Sequence, residues 1–325
     1  MTPEVARSRF AADLLGLIDQ DQRIGIAVSG GPDSLALLLL AAEAMPGRVE
    51  AATVDHRLRE GSADEAEAVA RVCATLSVPH QILTARWAEP PTANVQARAR
   101  AERYVLLGAW ASEAKLAAVV TAHHADDQAE GLLMRLARGA GVAGLGGTRA
   151  RRALVEGVVL VRPLLGWRKA ELGEVVAAAG MTPADDPSNR DPRHDRVRMR
   201  EWLAEAEWAD PARLAASAAW LGEADEALDW ALARLVPERV VCEQIGGDGD
   251  AVTVDANDLP RELQRRLLLV AFARMGAAAP RGADLARAMA ALERGETVTL
   301  AGLKLAARRR ASGSKWLLTR APARR

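Results

Sequence analysis

Cysteine and aromatic residues are scarce in this chain of 325 residues. It contains two cysteines, Cys73 and Cys242, and aromatic side chains make up 3% of the sequence. The cysteines lie far apart and neither belongs to a C-x-x-C pair. This argues against a zinc or iron–sulfur site and is compatible with a reducing compartment.

Long apolar segments are missing as well. The longest apolar run, residues 35–42, is far shorter than the roughly 20 residues that span a bilayer. Charged residues interrupt the N-terminal segment, which has no apolar core before a small-residue cleavage site. We therefore expect a cytoplasmic protein with no membrane partner.

An excess of charge is also absent, because 43 basic residues balance 43 acidic ones. The charges are unevenly spread: residues 301–325 carry eight Lys or Arg and no acidic residue, and residues 188–200 carry five Arg against two Asp. Such basic segments are either solvated surface or contacts to a nucleic-acid backbone. The sequence leaves both interpretations open for the C-terminal segment.

The first half of the chain alternates regularly between strand-like and helix-like segments. Apolar runs predict strands at residues 24–28, 49–54, 78–84 and 117–121. Helices are predicted at 35–45, 93–115 and 125–138, and another from a capping box of Ser62 and Glu65. This alternation predicts a parallel sheet covered on both faces, with ligands at the carboxyl ends of its strands.

The second half follows a looser pattern, and the length predicts two domains at about 150 residues each. We predict a glycine-rich loop at 139–147, a hairpin or pair of strands at 153–161 and a short helix at 168–179. A Pro-rich charged stretch follows at 182–193, and helical structure is predicted at 201–236. Four tryptophans in the helical part are interpreted as core anchors rather than base-stacking platforms: Trp202, Trp208, Trp220 and Trp230. Short strands and helices at 260–275 and 282–294 predict a small α/β domain at the end.

The hexapeptide SGGPDS, residues 29–34, lies where the first strand enters its helix. Unpaired backbone N–H groups and the helix dipole make such a junction attractive to phosphate, and adjacent glycines let a ligand approach the backbone closely. The loop lacks the lysine of a Walker loop, and it is not G-x-G-x-x-G either. Asp33 suggests a Mg²⁺ ligand instead. The alternative is an ordinary tight turn capped by serine.

This loop resembles the S-G-G-x-D-S loop of the N-type ATP pyrophosphatases, which cleave ATP between the α and β phosphates. Within that group the chain resembles the tRNA-isoleucine lysidine synthases, because six further motifs occur in the family's order. They are VDHRLR (54–59), NVQARARAERY (94–104), TAHHADDQAE (121–130), RGAGVAGLGG (138–147), RPLL (162–165) and DPSNRDPRHDRVRMR (186–200). The family usually has Thr and Asn where this chain has Gly131 and Val197, so local roles at these two positions are open.

The resemblance implies a Rossmann-like α/β fold of the adenine-nucleotide alpha-hydrolase type, followed by a smaller α/β domain. We expect a catalytic domain at 1–205, a helical linker at 206–236 and a tRNA-binding domain at 237–325. The implied reaction uses ATP and Mg²⁺ to adenylate the wobble cytidine of an isoleucine tRNA with a CAU anticodon. Free L-lysine then displaces AMP to form lysidine, which changes codon reading from AUG to AUA. A monomer and a homodimer are both compatible with the sequence.

The spacing and the resemblance together nominate the site residues. Asp127 and Glu130 are three apart on one helical face, which suits them to orient the lysine ammonium and take its proton, although acidic residues there also cap helices. The predicted catalytic residues are Asp33, Asp127, Glu130, His123 and Arg103, and His124 is the alternative to His123. Predicted nucleotide-binding residues are Ser29, Gly30, Gly31, Pro32, Asp33, Ser34, Asp55, Arg100, Arg196 and Arg200, and the predicted metal ligand is Asp33.

Other functions stay open at this point. A related PP-loop enzyme that thiolates tRNA needs cysteines, which are poorly placed here. An amidotransferase-type synthetase is disfavoured because no glutaminase domain precedes the loop. A nucleotide-binding protein without chemistry has no reason to carry both Asp33 and the acidic cluster at 126–130.

Overall fold

The computed structural model describes residues 1–58, 61–87, 93–183, 195–206, 208–244, 250–310 and 313–322. It forms two compact units, Met1–Gly222 and Glu223–Arg325. In these ranges no helix combines the length and the apolar character needed to cross a membrane. Arg59 and residues 186–194 of two of the motifs lie outside the described residues.

The first unit contains a sheet of six strands with helices around it. Its strands are β1 (Ile24–Ala27), β2 (Val49–Asp55), β3 (His80–Thr84), β4 (Ala118–Val120), β5 (Arg151–Val155) and β6 (Val158–Val161). Its helices are α1 (Pro3–Leu15), α2 (Pro32–Ala44), α3 (Ser62–Thr75), α4 (Val95–Glu113), α5 (Ala125–Leu136), α6 (Val142–Leu145), α7 (Lys169–Ala178) and α8 (Asp195–Glu205). Helix α9 (Pro211–Arg239) continues from this unit into the second.

The strand order is β3-β2-β1-β4-β6-β5, and every pair is parallel except β5 with β6. The predicted parallel α/β sheet is confirmed, with the predicted hairpin as its antiparallel edge. Because β1 and β4 are neighbours, the loops that follow them enter α2 and α5 side by side at the carboxyl edge. This topology brings SGGPDS next to TAHHADDQAE.

Two apolar layers enclose the sheet. One layer packs Phe10, Leu37 and Trp167 against β1, and the other packs Trp110 and Leu107 of α4. Gly25 in β1 lets Trp110 approach, since a Cβ on Gly25 would lie 2.5 Å from the indole ring. The central strand is therefore held closely between helices on both faces.

Two local predictions are wrong. Helix α3 begins after Gly61, whose φ of 84° is left-handed, so Ser62 is inside the helix and forms no capping box with Glu65. The backbone N–H of Glu65 donates to the Gly61 carbonyl instead. The glycine-rich segment at 139–147, predicted as a loop, contains the one-turn helix α6.

The tryptophans predicted as core anchors are exposed. Their exposed fractions are 43% for Trp202, 76% for Trp208, 66% for Trp220 and 61% for Trp230. In the part of α9 that belongs to the first unit, the buried positions are taken by small residues, Ala215 and Ala218. Trp220 lies two residues beyond Ala218 and is thus about 200° further around the helix.

The second unit is a five-stranded antiparallel sheet with two helices. Its strands are β7 (Val240–Gln244), β8 (Asp250–Asp255), β9 (Thr297–Leu300), β10 (Leu303–Arg310) and β11 (Gly313–Arg320), in the order β7-β8-β11-β10-β9. Helices α10 (Arg261–Arg274) and α11 (Gly282–Glu293) pack Leu268, Phe272 and Leu285 in its core. Buried Arg266 joins α10 to α9 through Asp225 at 2.5 Å and Asp229 at 2.6 Å.

Much of the basic C-terminal segment is part of this sheet. Lys304 and Arg308 are exposed on β10, whereas Lys315 of β11 pairs with Asp255 at 3.2 Å. Arg320 donates to the Met275 carbonyl at 2.7 Å. The positive charges of Lys304, Arg308, Lys315 and Arg320 are therefore carried on the β10–β11 hairpin.

Candidate active site

The SGGPDS loop is closed by its own serines. The buried Ser34 hydroxyl accepts from the Ser29 backbone N–H at 3.1 Å and donates to the Gly31 carbonyl at 2.9 Å. Gly30 has a φ of 84°, which favours glycine. Helix α2 starts at Pro32 and has no side-chain cap, so its N-terminal dipole faces the loop. Phosphate is the natural occupant of such a turn.

Asp33 extends from the first turn of α2 towards the loop after β4. Its Oδ2 lies 3.4 Å from His124 Nε2. Its Oδ1 is buried and has no hydrogen-bond partner among the residues that the structure describes. A buried carboxylate oxygen without a donor is costly, and a cation supplied by a ligand would satisfy it.

His124 lies among three carboxylates. Its Nε2 is 3.4 Å from Asp33 and 3.6 Å from Asp127, and its Nδ1 is 3.7 Å from Asp126. Burial alone would lower the pKa of His124, but Asp126, Asp33 and Asp127 raise it to about 10. His124 is therefore an imidazolium at neutral pH, and it holds this carboxylate cluster together.

Asp126 and Asp127 have different neighbours. Asp126 accepts from Arg168 at 3.2 Å and from the Lys169 backbone N–H at 2.8 Å. Burial would raise the pKa of Asp126, but His124 and Arg168 outweigh it and hold this pKa below its usual range. Asp127 caps α5 by accepting from the backbone N–H of His124 at 3.2 Å. Asp126 therefore anchors α7, whereas Asp127 stays beside Asp33.

Glu130 is the most deeply buried acid of the group, with 1% exposure. Its carboxylate accepts from Arg200 Nε at 2.8 Å and from Nη2 at 3.4 Å. Burial opposes the charge of Arg200, but Glu130, with Asp127 and Asp33 further away, raises the pKa of that guanidinium. This pair fastens α8 to α5, and it also neutralises Glu130 locally.

His123 faces positive charge instead. Its Nδ1 is 3.0 Å from Thr121 Oγ1. Burial lowers the pKa of His123 to about 3, and four arginines contribute further: Arg162, Arg100, Arg196 and Arg103. We call these four the arginine cluster. The adjacent histidines thus differ in charge, because His124 turns to carboxylates and His123 turns to guanidinium groups.

The sequence analysis missed Arg162 and Tyr104. Arg162, 2% exposed, donates to the Arg149 carbonyl at 2.6 Å and has no partner for Nε. Burial opposes ionisation of Tyr104, yet Arg100 and a hydrogen bond to Arg162 lower the pKa of its phenol. Arg100 and Arg152 also lie over the ring, with Cζ 5.2 Å and 4.8 Å from its centroid. The RPLL motif was the signal that pointed to Arg162.

In the described part of the chain, no carboxylate lies within 4.0 Å of any guanidinium group of the arginine cluster. Tyr104 is a neighbour whose phenol can carry negative charge. Arg162 is buried in this group, whereas Arg100 and Arg196 are exposed, so the guanidinium groups form a positive surface that is suited to an anionic ligand. The cluster and the SGGPDS loop therefore form two anion-attracting surfaces in one unit.

Asp55 is bound by the turn that follows β2. It ends β2 and accepts from the Arg57 backbone N–H at 2.9 Å, with Arg57 Nε 3.8 Å from its other oxygen. The next residue, His56, has two buried ring nitrogens without partners, and burial and Arg103 lower its pKa. His56 thus lies near Arg103 of the arginine cluster.

Known proteins resemble this chain over nearly its whole length. Residues 4–207 match the family described as the PP-loop domain. A tRNA(Ile)-lysidine synthase of Novosphingobium aromaticivorans is 47% identical over 323 residues, covering 98% of this chain and 95% of that protein. The chain belongs to the tRNA(Ile)-lysidine synthase family. A member from Zymomonas mobilis is 42% identical, covering 93% of this chain and 90% of its own length.

A solved structure shows the same fold at low identity. The U34-tRNA thiolase NcsA from Methanococcus maripaludis, with its [4Fe-4S] cluster, is 18% identical with a TM-score of 0.57. The likeness covers 68% of this chain and 77% of the thiolase. At this identity the likeness establishes the PP-loop fold alone.

The two departures from the family pattern have local structural settings. Arg135 lies over Gly131, so a Cβ at this position would be 3.1 Å from Arg135 Nη2. Val197 is buried on α8, with 8% exposure. Gly131, which has no side chain, and the apolar Val197 thus stand beside the site where the family usually has the polar residues Thr and Asn.

Proposed function

We propose that this protein is an ATP-dependent ligase that converts the wobble cytidine of an isoleucine tRNA to lysidine. The single observation that supports this best is the charge separation around adjacent His123 and His124. His123 faces four arginines, which suits the anionic phosphates of ATP. His124 lies among three carboxylates, which suits the ammonium group of lysine. A reaction that joins a nucleotide to free lysine needs both.

The arginine cluster and the SGGPDS loop serve the adenylation step. The loop amides and Ser34 would hold the pyrophosphate part of ATP, while Arg100, Arg103 and Arg196 offset charge as the C2 oxygen of cytidine attacks the α-phosphate. In the tautomer whose Nδ1 accepts from the Thr121 hydroxyl, neutral His123 would donate its Nε2–H to an oxygen there. Arg162 extends this positive surface.

Asp33 would hold Mg²⁺ together with phosphate oxygens, since protein Mg²⁺ sites often use one or two carboxylates plus a substrate phosphate. Its buried oxygen without a donor fits this role. No cluster of three or more metal-ligating side chains occurs in the described ranges, so the phosphates would complete the coordination. When bound, the ion offsets phosphate charge.

The carboxylate cluster serves the lysine step. Free lysine arrives as an ammonium and must lose a proton before its amine attacks C2 of the adenylated cytidine and AMP leaves. Asp127 and Asp33 would bind the ammonium, and Asp127 is the nearer acceptor for its proton. Glu130 is occupied by Arg200, so we propose that it fixes the position of α8 and acts on lysine through that pair.

The tRNA would contact both units. The wobble base must leave its stack to reach the carboxyl edge, as unpaired RNA bases do in many complexes. The exposed Lys304 and Arg308 on the β10–β11 hairpin would neutralise backbone phosphates. We infer that the protein works in the cytoplasm, where ATP and tRNA are available.

The direct test is incubation of the protein with ATP, Mg²⁺, labelled lysine and an isoleucine tRNA with a CAU anticodon. We expect label in the tRNA only when ATP is present, with one AMP and one pyrophosphate released per lysine. Binding of ATP without pyrophosphate release would contradict the proposal. Asp33→Asn separates two duties of this residue, because loss of pyrophosphate release indicates metal binding, whereas an adenylate that never captures lysine indicates lysine binding.

A thiolating activity is not favoured by the cysteines. Cys73 is fully buried on α3, and burial raises the pKa of its thiol to about 11, so it carries almost no reactive thiolate at neutral pH. Cys242 belongs to the second unit. Replacing both by Ala should leave lysine incorporation intact, and its loss would favour thiolation.

A further inference from the structure

A groove opens between α8 and the C-terminal end of α5, whereas Asp126 and Asp127 lie at the N-terminal end of α5. We call it the α5–α8 groove and define it by Met134, Arg138, Asp195, Arg198, Met199 and Trp202. Its volume of about 230 Å³ is several times the roughly 30 Å³ share of a water molecule. It is large enough for a planar organic group and not only for solvent.

Helix α8 presents different faces to the active site and to this groove. Arg200 pairs with Glu130, and Arg196 belongs to the arginine cluster. Arg198 and Trp202 are each two residues further along, about 200° around the helix. The same short helix thus carries catalytic-site arginines on one face and a tryptophan with an arginine on another.

The aromatic surface of the groove is built from an exposed pair. Trp202, 43% exposed, lies 5.6 Å from Trp208 between ring centroids, with the planes at 78°. An edge-to-face neighbour holds the Trp202 ring in place and leaves ring surface open to the groove. Two methionines, Met134 and Met199, line it with adaptable apolar side chains.

Positive charge borders this aromatic surface. Asp195 joins two guanidinium groups, Arg138 at 3.0 Å and Arg198 at 2.5 Å. Both arginines remain mostly exposed, at 66% and 62% of their side chains. One carboxylate between two arginines leaves net positive charge and prepositions two donors for a phosphate.

The groove lies a short distance from the reacting base. Ten residues of α5 separate Asp127 from Ala137, which also lines the groove, and at 1.5 Å per residue this is about 15 Å. Stacked nucleotides advance about 3.4 Å each, and splayed ones advance further. A base two to four nucleotides from the wobble position would therefore reach the groove.

A second copy of this chain is a weaker candidate for the groove. A stable interface takes roughly 20 to 30 residues from each partner, whereas the groove is small and bordered by charge. Interleaved aromatic and arginine side chains are the usual surface for unpaired RNA bases. We propose that the α5–α8 groove binds one unpaired anticodon-loop base two to four nucleotides from the wobble cytidine, with Trp202 stacking on the base and Arg138 and Arg198 contacting its phosphates.

This inference rests on the proposed lysidine synthesis and is tested in the same assay. Trp202→Ala should raise the KM for tRNA by at least about fivefold, the lower end for loss of base–aromatic stacking. The KM for lysine and kcat at saturating tRNA should not change, because the groove is remote from the carboxylate cluster. Arg198→Ala should flatten the salt dependence of tRNA binding by about one phosphate contact.

The matched control is Trp220→Ala, which removes a tryptophan that is more exposed than Trp202 (66% against 43%) from α9 of the same unit and should leave the KM for tRNA unchanged. A second test changes the tRNA instead of the protein. It uses a set of substrates, each with one abasic nucleotide at a different loop position other than the wobble position. One abasic position should raise KM for the wild type and have no further effect on Trp202→Ala.

Three outcomes would overturn the inference. The first is an equal KM for tRNA in Trp202→Ala and Trp220→Ala. The second is that Trp202→Ala and the abasic nucleotide raise KM independently at every loop position. The third is that Trp202→Ala changes the oligomeric state rather than the affinity for tRNA. A wild-type protein that attaches no lysine would instead refute the proposed function itself. The two failures are therefore distinguishable.

Discussion

The uncharged state of buried His123 predicts a specific response of stability to pH. Its pKa falls from an ordinary 6.5 to about 3 in the folded chain because of burial and the arginine cluster. Between these two pKa values the unfolded chain binds a proton at His123, whereas the folded chain does not. His123 therefore costs no stability above pH 6.5 and destabilises the fold progressively as the pH falls towards 3.

The size of this effect follows from the two pKa values. Between pH 8 and pH 5 the unfolded imidazole becomes almost fully protonated, so the loss is about 1.36 kcal/mol times the 1.5 units below 6.5, or about 2 kcal/mol. His123→Asn removes the titrating group while its amide can still pair with Thr121. We expect the variant to lose about 2 kcal/mol less than the wild type over this range.

Urea unfolding of both proteins at pH 8 and pH 5 measures this difference, and the other histidines cancel in the comparison. Imidazole NMR signals provide an independent reading, because His123 should remain neutral at pH 5 while exposed histidines protonate. A wild-type and variant pair whose stability difference does not change with pH would refute the reasoning. The arginine cluster would then not act on His123.

Two further substitutions test the supports of the site. Glu130→Gln should destabilise the first unit by about 1–3 kcal/mol, because it leaves Arg200 without its carboxylate while partial solvent exposure limits the cost; an unchanged melting temperature would contradict the account. Gly25→Ala should cost about 1–3 kcal/mol by overpacking Trp110 at the central strand. The control is Gly173→Ala within α7, where a Cβ meets nothing within 4 Å, and calorimetry should find it neutral or stabilising. Equal effects of the two glycine variants would show that Trp110 moves aside.

The sequence predicted the sheet because its apolar runs and the turn residues between them indicate the same order of strands and helices. The strand–helix order from Ile24 to Leu136 was confirmed by the parallel order β3-β2-β1-β4, and this order explains why separate polar motifs share one edge. The second unit was also recognisable as α/β, although β7 was not predicted. A strand that is exposed at Val241 and lies at a sheet edge leaves a weak apolar pattern.

The charge arrangement within the site was much harder to predict. TAHHADDQAE shows two adjacent histidines, but only the turn into α5 directs His123 to arginines and His124 to carboxylates. Arg162 comes from a different strand, and its contact with Tyr104 depends on packing between α4 and β6. The prediction that the tryptophans are buried was wrong for a related reason. Small residues occupy the buried face of α9, so Trp220 is left exposed.

Product stoichiometry in the complete reaction tests the central claim most directly. With ATP labelled in the α-phosphate, isoleucine tRNA and lysine, the account predicts equal amounts of AMP, pyrophosphate and lysine-modified tRNA, and an adenylated tRNA intermediate when lysine is withheld. Release of ADP and inorganic phosphate, or lysine attachment without AMP formation, would contradict it.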